Sequence, residues 1–143
     1  MIRFAIASIA AACLLATPAR ATDIQIRVLN VADASGSVRV EVCPEAEWLK
    51  DCVLSGKTPA RPGITVITVP GVPPGAYGIT AYHDSNDNGK VDQNFIGLPT
   101  EGVGFSRDAA IRLGPPRFSD AVLQVAGPRV VVDITLHFER THP

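Results

Sequence analysis

The sequence predicts an all-β fold: a single antiparallel β-sandwich of about seven strands with one long ordered loop. Three observations carry that prediction. Short segments alternate apolar and polar residues with a period of two, the pattern of a strand with one face in a core. The 12 glycines and 12 prolines, together with β-branched residues, interrupt any 3.6-residue helical period except over residues 45–54, where a short helix is expected. Removing a 21-residue leader from the 143 leaves 122 residues, enough for one compact domain and too few for two. At 46% hydrophobic and 19% charged residues, the chain can bury a core and lacks the composition of a disordered one.

Residues 1–21 read as a cleaved signal peptide. Met1, Ile2 and Arg3 form a short basic start, residues 4–16 are an almost unbroken apolar run, and Pro18-Ala19-Arg20-Ala21 ends in the small-x-small pattern read by signal peptidase. A run this short does not reach the ~20 residues that cross a bilayer, so no stable membrane span is expected after cleavage. Cys13 lacks the aliphatic residue three positions before it that a lipoprotein signal carries. The expected location is periplasmic or secreted, with residues 22–143 as the single domain. Loss of Arg3 and Arg20 leaves 11 basic against 14 acidic residues, a formal charge of −3, which argues against a nucleic-acid partner.

The strands follow in order. Residues 23–30 set Ile24, Ile26 and Val28 against Gln25 and Arg27, and residues 37–43 set Val38, Val40 and Val42 against Arg39 and Glu41. The turn cluster Asp33-Ala34-Ser35-Gly36 between them predicts an antiparallel pair. In an exported chain Cys43 and Cys52 are expected to form a disulfide around a loop containing Trp48, a structural staple and not a redox-active dithiol. Residues 64–69 are a third strand. Pro70-Gly71-Val72-Pro73-Pro74-Gly75 then imposes a turn, and residues 76–83 form a fourth strand. Residues 121–125 are a short strand, and residues 129–138 alternate most clearly of all. Between 84 and 116 little alternation survives outside residues 109–113, and loops of such length are functional or held by something.

Within that stretch, Asp84, Asn86, Asn88 and Asp92 stand at positions 1, 3, 5 and 9 of a calcium loop. Gly89 stands at 6, an aliphatic residue at 8, and Lys90 at 7, where the backbone carbonyl serves. Calcium takes six to eight hard oxygen ligands, which alternate residues of a tight loop point inward. Position 12 departs from the pattern: Phe95 replaces the bidentate glutamate, and Glu101 is the candidate to complete the cage, with direct binding by Asp92 as the alternative. The competing reading is a plain hairpin turn, for which Asn88-Gly89 is a strong signal.

Several runs carry a resemblance: Pro73-Pro74-Gly75-Ala76-Tyr77 leading to Ala81-Tyr82-His83-Asp84, then the acidic loop, then Asn94-Phe95-Ile96-Gly97-Leu98-Pro99 through Glu101-Gly102-Val103-Gly104-Phe105-Ser106, and Gly114-Pro115-Pro116-Arg117-Phe118-Ser119-Asp120-Ala121. Together they resemble the signature of an exported bacterial family, domain of unknown function 2141, over nearly the whole mature chain. The resemblance implies little about activity, which that family leaves unassigned. The Pro-Pro-Gly-x-Tyr step is also similar to exported transthyretin-like and carboxypeptidase-regulatory-like sandwiches, so a transthyretin-like or immunoglobulin-like strand arrangement is expected by analogy. Phe95, Phe105 and Phe118 are expected to pack beneath the loop as a satellite core.

No catalytic residue is assigned. Ser106 has no nucleophile elbow around it, and His83, His137 and His142 belong to no nucleophile motif. His83 beside Asp84 would need further ligands to hold a transition metal. The expected function is a non-enzymatic protein of the cell envelope, calcium-stabilised, that binds a protein or glycan through the 84–106 loop. The alternative is a small periplasmic hydrolase using Asp84 or Asp92 with Glu101.

Overall fold

The computed structural model describes residues 18–94 and 96–138. The leader through residue 17, with Cys13, and Phe95 and His142 lie outside the described residues. Strand β1 (Thr22–Val31) is the middle of a three-stranded sheet, between β4 (Gly63–Val72) and β8 (Arg129–Thr135). The second sheet runs β3 (Leu54–Pro59), β2 (Ser37–Cys43), β5 (Gly75–Asp84), β6 (Val103–Phe105), and β7 (Leu123–Val125) pairs with the first residues of β5. The alternation explains the packing. Ile24, Ile26 and Val28 of β1 share one fully buried core with Val38, Val40 and Val42 of β2 and Ile79 and Ala81 of β5. Each such side chain contributes roughly 1.5–3 kcal/mol of transfer free energy. The chain is thus an all-β sandwich, with eight strands.

The strand pairing departs from expectation at its first step. β1 and β2 do not form a hairpin: β1 pairs with β4 and β8, while β2 pairs with β3 and β5, so the 32–36 turn carries the chain from one sheet to the other. The turn depends on Gly36, whose φ is +61° and whose absent Cβ would lie 2.0 Å from the Asp84 carbonyl. Alternation tells which face of a strand is buried but not which strand lies beside it. The sheets are also not wholly antiparallel, because β1 and β8 run parallel; parallel neighbours need a long crossover, and here nearly the whole domain supplies it.

Three local expectations are corrected. Residues 45–54 hold only a single 3-10 turn, Glu45–Glu47, because Leu49 takes a left-handed φ of 59° and the Cys43–Cys52 disulfide closes the loop. Residues 109–113 are not a strand; the strand of this stretch is β6, whose Val103 exchanges backbone hydrogen bonds with His137 at 3.0 and 2.9 Å and so links the two sheets. The expected strand at 121–125 is split into a helical turn, α1 (Phe118–Ala121), and β7. Among the described residues, no helix is long and apolar enough to cross a membrane.

Candidate functional site

β5 ends at Asp84, whose side chain is fully buried and takes three donors: Arg39 Nε at 2.6 Å and the backbone N–H groups of Asn88 at 3.0 Å and Gly89 at 2.9 Å. These bonds wind residues 84–89 into one tight turn. The winding continues in steps of two, with the Asn88 N–H donating to Asn86 Oδ1 and the Lys90 N–H to Asn88 Oδ1, the local bonding that asparagine side chains favour. Both asparagine amides converge on one carboxylate: Asn86 Nδ2 donates to Asp92 at 2.6 Å and Asn88 Nδ2 at 2.7 Å. Glu101, 7% exposed, ties the two ends together, accepting from the Ser85 N–H and hydroxyl and from the Asp92 N–H at 3.0–3.1 Å.

The structure therefore brings Asp84, Asn86, Asn88, Asp92 and Glu101 into one network, while the Lys90 side chain lines a neighbouring cleft. A two-residue hairpin at Asn88-Gly89 would need positive φ at both, but the left-handed residues are Asp87 and Gly89. Two sheet cations enter the loop. Arg39 meets Asp84, and Lys57 meets Asp87 at 3.3 Å. The Ser37 hydroxyl bond and then Lys57 hold the Asp87 carboxyl below the usual carboxylate range. Asp84, Asp92 and Glu101 do not close on a common point: among the described residues, the only three His, Cys, Asp or Glu donors within 4.8 Å of one another are Glu41, Cys43 and Cys52. The two cysteines of that group are consumed by the disulfide.

Beside the loop lies a cleft of about 660 Å³ on the outer face of the five-stranded sheet. Strand register sets its floor. Glu41, Thr80 and Phe105 form one row across β2, β5 and β6, and Arg39, Tyr82 and Val103 form the next. The floor thus grades from charged side chains on β2, through hydroxyls on β5, to apolar groups on β6. Residues 89–91, Gln93 and residues 96–99 form one wall, and residues 111–115 with the disulfide loop form the other. The second wall is held by Trp48, whose ring meets Phe105 and Phe118 edge-on at 5.9 Å each and whose indole N–H donates to the Pro116 carbonyl at 3.0 Å. Phe105 and Phe118 therefore pack as the expected satellite core does, joined by Trp48, Tyr82, Val103 and Ala121.

Three of the large apolar side chains that stand exposed, Leu49, Ile96 and Leu113, line this cleft. Burial and then the nearby Asp51 charge push the Glu41 carboxyl above its usual range, and burial with Glu41 does the same to the Tyr82 hydroxyl. Glu41, Tyr82 and the 111–115 wall were not among the sequence candidates. The available signal was Glu41 itself, on the polar face of β2, combined with a long stretch that has to lie over some sheet.

The other titratable candidates sit elsewhere. His83 is buried on the opposite face of β5 from Asp84, its Nε2 2.7 Å from the Ser35 carbonyl and 3.8 Å from Asp33. His137 pairs with Asp108 at 2.9 Å on the surface. Ser106 is fully buried, its hydroxyl donating to the Ala121 carbonyl and accepting the Ile79 N–H, so it presents no nucleophile.

With this geometry in place, the comparison with protein families is informative. The profile of a family described as uncharacterised proteins conserved in bacteria, domain of unknown function 2141, matches residues 26–133. The chain belongs to that family. The matched span of this family member runs from within β1 to within β8 and includes both the acidic loop and the cleft. Comparisons with curated proteins and with solved structures return no match.

Proposed function

We propose that this family member is an exported, non-enzymatic β-sandwich of the cell envelope that binds a protein or glycan partner in the cleft beside the 84–106 loop. The observation that carries the reading is the cleft itself: a concave surface of ligand-site dimensions, floored by a graded row of polar and apolar groups and rimmed by exposed aliphatic side chains. Export is supported by the start of β1 at Thr22, whose hydroxyl donates to the Gly127 carbonyl at 2.6 Å; cleavage after Ala21 leaves the first strand whole. The disulfide accords with an oxidising compartment.

The same reading gives the loop a calcium ion, held by Asp84, Asn86, Asn88, the Lys90 carbonyl and Asp92, with Glu101 closing the loop. Its support is the winding: an aspartate that caps the N–H of Gly89, two asparagines in stepped turns, and an Asp92 carboxylate that both already face. Arg39 beside Asp84 stands in competition with such an ion. No observation favours the hydrolase alternative, because Asp84 and Glu101 are each consumed by backbone hydrogen bonds within the loop.

The test is site-specific photo-crosslinking in the envelope fraction of the source cells. A photoreactive residue at Leu113, on the cleft, is compared with one at Val66, an exposed position on the other sheet. Discrete adducts from position 113 and none from 66 are expected. Equal labelling at both, or none at 113, would overturn the reading.

A further inference from the structure

The charges of the cleft are unevenly satisfied. Glu41 is half-buried on the floor, accepts no hydrogen bond and joins no ion pair among the described residues. Asp51, exposed on the adjoining disulfide loop, lines the same cleft and joins no ion pair among the described residues. A carboxylate partly removed from water and without an ion partner carries an electrostatic penalty that a cation placed against it relieves. Lys50, Lys90 and Arg112 line the same cleft, yet none of them pairs with either carboxylate, and the Lys50 ammonium donates instead to the Ala46 carbonyl at 3.3 Å. Glu41 therefore has no direct ion partner among the described residues.

A free inorganic cation would suit the acids alone and leave the rest of the surface unused. Moving across the strands from Glu41, the floor passes Thr80 and reaches Phe105, two strand spacings or roughly 10 Å away, where Val103 and Ile111 continue an apolar surface. A ligand lying across the strands meets a carboxylate first, a hydroxyl in the middle and an aromatic and aliphatic surface at the far end.

We infer that the cleft takes an amphipathic amine group presented by the partner, its ammonium on Glu41 and its apolar body over Val103 and Phe105. The inference rests on the reading of the cleft as a binding site and adds the chemistry of what enters it. Glu41 sets the preference for charge, and the β6 residues supply an apolar surface that does not discriminate charge. No covalent step is involved.

The experiment uses the purified, disulfide-intact protein and three probes of matched size: phenethylamine, 2-phenylethanol and 3-phenylpropanoate, titrated by NMR or calorimetry at neutral pH. Phenethylamine is expected to bind about ten-fold more tightly than the alcohol, the increment of one charge-assisted hydrogen bond. Glu41→Gln should erase that preference while leaving the affinity for 2-phenylethanol unchanged, which also shows that the variant is folded. Equal affinities for amine and alcohol, both lost in Ile111→Asp, would overturn the amine inference and leave the cleft a binding site. Tighter binding of 3-phenylpropanoate would overturn it too, assigning the ligand charge to the cations of the cleft, Lys50, Lys90 and Arg112. Failure of all three probes at millimolar concentration overturns the inference, while the crosslinking at Leu113 decides the broader reading separately.

Discussion

Removing the Asp84 carboxylate should loosen the 84–101 loop at its root. In Asp84→Ala, the Arg39 guanidinium loses a partner at 2.6 Å, and the N–H groups of Asn88 and Gly89 lose theirs at 3.0 and 2.9 Å. Hydrogen bonds to a charged group contribute roughly 1.5–3 kcal/mol each, and breaking a buried ion pair from one side costs about 3–5 kcal/mol. Some of this is recovered, because Arg39 is partly exposed and the freed N–H groups can turn to water. A net loss of about 4 kcal/mol follows, which for a domain of this size lowers the midpoint by roughly 16 °C. Urea and thermal unfolding of the oxidised protein measure it, with an unchanged urea slope showing that the unfolded surface is the same. Arg39→Met should cost less, since Asp84 keeps its two backbone donors. The double variant should cost less than the two single losses combined, because the sites share one interaction. A loss below about 1 kcal/mol in Asp84→Ala, or strict additivity with Arg39→Met, would refute the assignment of Asp84 as the loop's anchor.

Four further predictions follow from the same geometry. If the loop takes calcium, millimolar calcium but not magnesium should raise the thermal midpoint of the chelator-treated protein by several degrees, about 2.7 kcal/mol at a hundred times Kd, and the rise should vanish in Asp92→Asn. Gly104→Ala places a Cβ 2.3 Å from the Thr135 carbonyl, so β6 must move from β8; a loss of about 3 kcal/mol is expected by denaturant unfolding, and a neutral result contradicts the close approach. Reducing Cys43–Cys52, nine residues apart, should cost about 2.6 kcal/mol by loop entropy, seen as a lower midpoint with dithiothreitol. The Glu41 carboxyl keeps its proton to higher pH folded than unfolded, so its contribution to stability falls as pH rises through that window. Glu41→Gln should therefore be more stable than the parent protein at pH 7, with the gain vanishing below about pH 4 in a pH series of melts.

Most of the strands were legible one at a time. The alternations in β1, β2 and β8 mark buried faces, since a half-buried strand has to alternate; the turn expected from Pro70 onward begins only after Val72, because β4 runs on through Pro70 and Gly71 and ends at Pro73-Pro74, where proline withholds donors. β6 was not legible: three residues with a glycine at the centre carry no period, and the strand exists because Gly104 lets it approach Thr135. The acidic loop was half legible. The spacing of Asp84, Asn86, Asn88 and Asp92 predicts oxygens turned to one focus; the structure joins these residues with Glu101 in one hydrogen-bond network, but Asp84, Asp92 and Glu101 do not close on a common point. The loop's neutralisation by Arg39 and Lys57 was not, since both cations come from strands far away in sequence.

By itself, the sequence determined the class of fold, the disulfide pair and the winding of residues 84–92, because each depends on periodicity or on partners a few residues apart. Only the tertiary structure decided that β1 and β2 part into different sheets, that β8 runs parallel to β1, and that Glu41, Tyr82 and Phe105 floor one cleft. Those are matters of register between distant strands. A period of two specifies which way a side chain faces and is silent about its neighbours across the sheet.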